Sequence, residues 1–401
     1  MYLTHLSLTD FRAFQRLDMD VPRQILILLG NNAQGKTSLL EAVYYLSTFT
    51  SFQAQSGRQL INFMASNQDL SVARLVAEYE RNDGPHNIEV RLIQDHNPNG
   101  MKRIRKEILL DGVKRKIHEA FGHFNAVIFM PQMTHILEGS PEERRRYLNL
   151  TLSQAVPGYA HALSEYNQVL TQRNALLKQL SERGSNPDQI DYWDNLLTNR
   201  GAYIIHQRIK AIHELEQFAT RIHHRLSASK EVLRFSYQPS YDPIPQSKEQ
   251  YALPLQTPIQ RIGFTQEEIR LGFERHLQEI RSEEIARGLT IIGPHRDDLR
   301  FLSNQIDLGD YGSRGQIRTA LMALKLAEVS WLKAKTGETP VLLLDEIMAE
   351  LDIGRRSDLL SYLESCEQAL LTTTDKGLFS EEFINHSTMW WVEEGRVKLT
   401  A

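Results

Sequence analysis

The chain has 401 residues, and its 46 Lys+Arg against 50 Asp+Glu give a formal net charge of −4. Apolar residues make up 41% and charged residues 24%, the balance of an ordinary globular protein, which excludes disordered, collagenous and low-complexity classes. The length suggests two or three domains, and the slight acidity leaves any nucleic-acid contact to local basic patches. The lone cysteine, Cys366, excludes an intrachain disulfide and a cysteine-built zinc cluster and suits a reducing cytosol. Met1-Tyr2-Leu3-Thr4-His5 has no basic segment followed by an apolar one, and no apolar run approaches the roughly 18 residues that span a bilayer. A cytoplasmic protein with no membrane partner is expected.

In chain order, Ile25 to Leu29 is a short apolar run ending at Gly30, the pattern of a buried strand, and a helix opens near Lys36. Segment 70–79 and Ile88, Val90 and Leu92 alternate, Asp111-Gly112 signals a tight hairpin turn, and Ala126 to Met130 is another buried strand. The middle changes to near-heptad spacing. Leu163, Tyr166, Leu170, Leu177 and Leu180 are interrupted by Arg173. A second run holds Ile205, Ile209, Ile212, Leu215, Ala219, Ile222 and Leu226, and Gly184 to Asp188 breaks between the two. Two readings stand: an antiparallel coiled-coil-like hairpin, or an ordinary helical subdomain. The Pro- and Gln-rich stretch 239–258 reads as a surface loop, and the capping box Thr265-Gln266-Glu267-Glu268 opens a helix that stops near Gly288. Val341 to Leu344 and Ala369 to Thr373 are buried strands, and Glu394-Gly395 turns a last hairpin.

Gly30-Asn31-Asn32-Ala33-Gln34-Gly35-Lys36-Thr37 is G-x-x-x-x-G-K-T between a strand and a helix, the context a phosphate-binding loop requires. The glycines let the backbone turn its amides on a phosphate, and the helix N-terminus favours anions. Lys36 would reach the β and γ phosphates of ATP, and the Thr37 hydroxyl would bind Mg²⁺. Val341 to Leu344 deliver Asp345 and Glu346 at a strand's carboxyl end; Asp345 would hold Mg²⁺ through water and Glu346 would orient or deprotonate the attacking water. Thr37 and Asp345 lie 308 residues apart, too far for simple kinases or small GTPases and suited to cassette ATPases of the SMC type, whose heads are interrupted by helical arms. Ser313-Arg314-Gly315-Gln316 resembles the cassette signature S-x-G-Q, opening a helix through Ile317 to Trp331, and Ala349-Glu350-Leu351-Asp352 resembles the D-loop.

These motifs, with Leu6 to Phe14, Gly139-Ser140-Pro141-Glu142-Glu143-Arg144-Arg145-Arg146 and Gly293-Pro294-His295-Arg296-Asp297-Asp298, make the chain similar to the RecF family of recombination-repair ATPases across nearly its whole length. The resemblance implies an α/β, P-loop ABC/SMC-type head: residues 1–150 and 289–401 form the head, and 151–288 an inserted helical arm. It implies an ATP-dependent homodimer sandwiching two ATP molecules. Gly30 to Thr37 of one chain would face Ser313, Gly315 and Gln316 of the other, with the D-loop residue Asp352 also binding nucleotide, closing on DNA and reopening on hydrolysis. Binding to single-stranded, double-stranded or gapped DNA without sequence specificity is implied, assisting RecA loading with RecO and RecR in DNA repair, replication and the SOS response.

The chain departs from the family's pattern at Gln132, Met133 and Thr134, where an acidic residue and an Asp-Leu pair are usual, and at Asn149, where Asp is usual. Gln132 could act as a Q-loop residue touching Mg²⁺. Thr373 and Thr374 stand where cassette enzymes have a switch His, which implies slow hydrolysis, and the resemblance implies that the turnover is DNA-dependent. His295-Arg296-Asp297-Asp298 reads either as a metal site or as a structural hydrogen-bond cluster. The basic runs Arg103-Ile104-Arg105-Lys106 and Lys114-Arg115-Lys116 flank the Asp111-Gly112 turn and, like Arg144-Arg145-Arg146, read either as DNA contacts or as solvated faces. Two other functions fit the motifs: a transporter ATPase subunit, and an SMC-like clamp with negligible turnover.

Overall fold

Apolar residues alternate along β1 (Tyr2–Phe11), and a bulge between Leu3 and His5 resets the alternation so that Leu3, Leu6 and Leu8 all face inward. After β2 (Phe14–Asp20) the chain enters β3 (Ile25–Leu29), buried at all five positions, and then α1 (Lys36–Thr48), which ends at Phe49 in a left-handed conformation. β4 (Ser71–Arg81), β5 (Gly84–His96), β6 (Lys102–Leu110) and β7 (Val113–Arg115) follow as a meander. Asp111 and Gly112 turn β6 into β7 with φ of 48° and 76°, the paired positive values of a tight hairpin. With β1 and β2 these strands form an antiparallel sheet of order β2-β1-β4-β5-β6-β7. α2 (Ile117–Ala120) and the fully buried β8 (Ala126–Phe129) come next. The structure describes residues 1–67, 70–96, 102–184, 186–244 and 261–399.

The chain divides into two units, one of Met1–Met133 with Glu328–Ala401 and one of Thr134–Ala327. The second unit starts with α3 (His135–Glu138) and α4 (Pro141–Ala155). Ser140 caps α4, Pro141 is its first residue, and Glu143 reaches back to the Ser140 N–H, which explains the Gly-Ser-Pro-Glu-Glu segment as a helix start. α5 (Tyr159–Arg183) and α6 (Ile190–Leu226) pack against each other, but α6 also packs on α7 (Gln266–Glu279) and α5 on α8 (Arg281–Arg287). Their apolar stripes are therefore shared among four helices, and the middle is a helical subdomain rather than an isolated hairpin. Gly201 marks the close approach of α6 and α7: a Cβ there would meet Phe273 at 2.7 Å. The helix opened by Thr265 ends at Ile280, and α8 carries on to Gly288. Most of stretch 239–258 lies outside the described residues.

Arg173, which interrupts the apolar spacing of α5, is fully buried and donates to Asp194, Glu284 and Thr290 at 2.6 to 2.7 Å. A charge at a core position is stable only with such a complete set of partners. β9 (Leu233–Gln238), β10 (Asp298–Ser303) and β11 (Ile306–Asp307) make a small sheet of order β11-β10-β9, followed by α9 (Leu308–Tyr311). The units divide the chain at 133/134 and 327/328, where the resemblance implies 150/151 and 288/289. Arg144 on α4 grips Asp298 on β10 bidentately, at 2.7 and 2.9 Å, so residues from both sides of the helical stretch share one core.

α10 (Arg314–Thr336) leads back to β12 (Val341–Asp345), α11 (Ile353–Glu364), β13 (Ala369–Thr373), α12 (Glu381–Asn385), β14 (Ser387–Glu393) and β15 (Arg396–Leu399). The third sheet has the order β15-β14-β3-β13-β12-β8, parallel except at the β15 edge. The carboxyl ends of β3, β13 and β12 therefore lie side by side, where open α/β sheets hold their ligands.

Candidate functional site

At the carboxyl end of β3 the chain turns through Gly30 at φ 156°, Ala33 at 64° and Gly35 at 109° before α1 begins. Gly30 is obligatory: a Cβ there would lie 2.3 Å from the Val392 carbonyl oxygen of β14. The loop is braced from the last hairpin, where the Glu394 N–H donates to Gln34 Oε1 at 2.8 Å and the Gly395 N–H to Gln34 O at 3.1 Å. Lys36, only 4% exposed, donates to the carbonyls of Gly30 and Asn31 at 2.8 and 3.0 Å, and its Nζ lies 3.3 Å from Glu346 Oε1.

The register of β12 against β13 sets Asp345 opposite Thr372. Asp345 accepts from Thr37 Oγ1 at 2.9 Å and from Thr372 Oγ1 at 2.7 Å, so residues 308 apart in sequence meet directly. Burial, and after it the Glu346 charge, push the Asp345 carboxyl above the usual range against the pull of these hydroxyls. Glu346 sits at φ 50°, a strained value for a side-chain-bearing residue, with its N–H held by Thr372 Oγ1 at 2.9 Å. Thr372 is the residue that sequence reading missed. Only the strand register reveals it, since the adjacent Thr373 carried the motif resemblance and instead caps the turn at Asp375.

A cavity of about 510 Å³ opens over these groups, a size that accommodates a nucleotide. It is lined by Asn32 to Ser38, Gln132, Asp345, Glu346 and Glu350, also by Ala13 of the Leu6 to Phe14 segment, and by Gln53, which no motif singled out. Gly30 and Asn31 lie behind it as the lysine's anchors. The residues fit a magnesium nucleotide: an amide-lined turn and an ammonium for phosphate, with a hydroxyl beside a carboxylate for a hard cation. Asp352 takes a different place, capping α11 by accepting from the Arg355 N–H at 3.0 Å.

In the second unit Ser313 and Gly315 are exposed at the start of α10. Ser313 Oγ accepts from the Gln316 N–H at 3.2 Å, and Gln316 Oε1 accepts from the Ser313 N–H at 3.0 Å, a reciprocal cap that presents the serine at a helix N-terminus.

The hairpin bases separate by strand alternation. Arg103 and Arg105 on β6 and Lys114, Arg115 and Lys116 beyond it are exposed. Lys106 points to the other face: its Nζ donates to Phe49 O at the end of α1 and lies 4.7 Å from the Tyr45 ring centre, and burial lowers its pKa to about 8. It is a structural cap, not a surface cation. Arg105 and Lys114 share Glu107, and Arg74 and Arg91 share Glu89, so four cations meet two carboxylates across β4 to β7. Arg144 is withdrawn as a DNA contact because it is buried against Asp298.

The Gly-Pro-His-Arg-Asp-Asp segment is structural. Asp297 accepts from Arg208 at 2.8 Å and from Tyr237 at 2.5 Å, and His295 Nδ1 lies 2.7 Å from the Tyr166 hydroxyl. Asn149, where the family usually has Asp, accepts from Tyr159 and Arg208 in the same cluster. No group of three or more His, Cys, Asp or Glu suited to a metal occurs among the described residues. Nor is any helix among them long and apolar enough to cross a membrane.

The model of the RecF/RecN/SMC N-terminal domain family matches residues 2–395. The chain is similar to the DNA replication and repair protein RecF of Roseiflexus castenholzii, 37% identical over 99% of both chains. It is 38% identical to the RecF of Chloroflexus aurantiacus, again over 99% of each. A solved structure of the recombination mediator protein RecF-ATP in the RecFOR pathway superposes with a TM-score of 0.82, at 29% identity, over 100% of this chain and 98% of that one. An Smc head bound to the C-winged helix domain of ScpA, 14% identical and covering 100% and 97%, matches in fold with a TM-score of 0.52. The strand-end cavity, the reciprocally capped signature helix and these similarities place the chain in the RecF family of DNA replication and repair proteins.

Proposed function

We propose that the chain is an ATP-dependent, DNA-binding switch of recombinational repair and replication restart. The observation that carries this reading is the meeting of Lys36 and Thr37 with Asp345 and Glu346 around one cavity. Lys36 and the amides of residues 32–37 bind the phosphates, and Thr37 and Asp345, with Gln132 at the rim, hold Mg²⁺. Mg²⁺, when bound there, would supply charge neutralisation to the phosphates. Glu346 orients the attacking water and accepts its proton.

The exposed, capped Ser313 completes the site of a second copy, whose Ser313, Gly315 and Gln316 in turn serve the first, with Asp352 lining the shared face. The related RecF structures with ATP support nucleotide binding, and their RecFOR context supports RecO- and RecR-type partners; assistance to RecA loading belongs to the same proposal. The exposed cations Arg103, Arg105, Lys114, Arg115 and Lys116 around the β6–β7 hairpin support contact with DNA phosphates, which is independent of sequence. Membership of the RecF family sets the transporter reading aside. A cytoplasmic location and weak, DNA-stimulated turnover belong to the same proposal.

The test is ATP hydrolysis with and without gapped DNA, wild type beside Lys36→Ala. DNA-stimulated turnover that Lys36→Ala abolishes is expected. Turnover that survives Lys36→Ala would place the reaction elsewhere, and wild type that neither hydrolyses nor dimerises with ATP would remove the switch.

A further inference from the structure

Glu231 lies in the short connection between α6 and β9, far in sequence from every motif, yet it touches the signature. Its Oε1 accepts from Gln316 Nε2 at 2.9 Å, its Oε2 accepts from Ser303 Oγ at 3.1 Å, and His223 Nε2 of α6 is 3.7 Å from Oε2. The carboxylate stands on a fixed pedestal. Ser227 Oγ and the Glu231 N–H are 3.3 Å apart, and Ala228 and Ser229 adopt left-handed φ values of 50° and 64° in a tight turn. Next door Val232 is tied to Asn304 through both its N–H and its carbonyl, at 2.9 and 3.1 Å.

Gln316 has a two-faced amide, and only one orientation serves the cap. With Nε2 toward Glu231, Oε1 accepts from the Ser313 N–H at 3.0 Å. Were the amide turned over, its oxygen would face a carboxylate and the Ser313 N–H would lose its acceptor, so the negative charge selects the productive orientation. The cap in turn spends a lone pair of Ser313 Oγ on the Gln316 N–H. The hydroxyl proton is left to donate outward from an exposed helix N-terminus.

We propose that Glu231 is a positioning residue for the signature turn: it locks the Gln316 amide and so aims the Ser313 hydroxyl at the nucleotide carried by a second copy of this chain. The inference rests on the dimer reading above and adds a residue from the turn that follows α6 to the machinery that senses nucleotide in trans.

The test compares Glu231→Met, which keeps the length and removes the acceptors, with Glu231→Gln, which can still accept from Gln316 through its oxygen. Glu231→Met should bind ATP as a single chain like wild type but weaken ATP-dependent dimerisation about tenfold or more, while Glu231→Gln, which keeps one acceptor but not the charge, should fall between the two. Mixing Glu231→Met with Lys36→Ala chains should restore activity, because one site of the mixed dimer then carries both lesions and the other carries neither. Amide hydrogen exchange at Ser313 and Gln316 should quicken in Glu231→Met with no change in residues 30–37. Full dimerisation by Glu231→Met, or unchanged exchange at the signature turn, would overturn the proposal. A wild type indifferent to ATP would instead sink the dimer reading, and the exchange measurement still decides whether Glu231 holds the turn.

Discussion

Glu346 has two opposed effects, and a single substitution separates them. Its carboxylate is 3.3 Å from the Lys36 ammonium, with the lysine 4% and the glutamate 41% exposed. A half-wet pair of this kind contributes about 0.2–1 kcal/mol. Phosphates arriving at Lys36 must displace Glu346, so this contribution is subtracted from the binding of ATP. Glu346→Gln keeps the shape, removes the charge and should tighten ATP binding by a factor of about 1.4–5. The same change removes the proton acceptor, for which losses of about 10²–10⁴-fold in turnover are typical. Equilibrium titration with ATP and Mg²⁺, beside single-turnover hydrolysis, reads both effects, and the closed dimer should outlive that of wild type. Weaker ATP binding by Glu346→Gln would refute the competition, and near-normal hydrolysis would refute the role as base.

Ser313→Arg should bind ATP as a single chain yet fail to dimerise, and its mixture with Lys36→Ala should regain activity; dead mixtures in which heterodimers form would deny the trans arrangement. Reversing charge at Arg105 and Lys114 together should weaken DNA binding across all sequences and flatten its salt dependence, whereas Lys106→Met should lower stability without changing the salt slope, both read by binding titrations at several salt concentrations. Gly30→Ala forces a Cβ against Val392 O, and a destabilisation of about 1–3 kcal/mol in denaturant unfolding with loss of ATP binding is expected. Burial lowers the His295 pKa from 6.5 to about 4. The unfolded chain therefore takes up its proton first, and stability falls as pH drops from about 6.5 towards 4, by on the order of 3 kcal/mol; His295→Asn should remove that part of the pH dependence.

The nucleotide site was legible because its groups sit in contiguous motifs with a strand before and a helix after. Lys36, Thr37, Asp345 and Glu346 were found that way. Thr372 and Glu231 were not, because they act through strand register and through a turn, relations that a linear sequence does not display. The hairpin bases were legible as a charge run but not as two faces, and alternation on β6 removed Lys106 from the surface. Arg173 read as a defect in an apolar stripe, since its partners Asp194, Glu284 and Thr290 are brought to it only by the packing of α5, α6 and α8. The capping box at Thr265 was local and the structure holds it, whereas the one at Ser140 emerges only in the structure.

The parallel sheet interleaves distant segments: β3 lies between β13 and β14, and Gln34 is held by residues 394 and 395. On the ribosome, the five buried residues of β3 must wait until both neighbouring strands have been made. At about 5–20 residues per second the roughly 360 intervening residues take on the order of 20–70 s to synthesise. The unit of Thr134–Ala327 is continuous in sequence and can close in the meantime. An apolar strand held open that long is a chaperone client and an aggregation hazard. The same delay is a safeguard: the phosphate-binding loop gets its brace only when the last hairpin is in place, so a half-made chain has no finished loop with which to hold a phosphate.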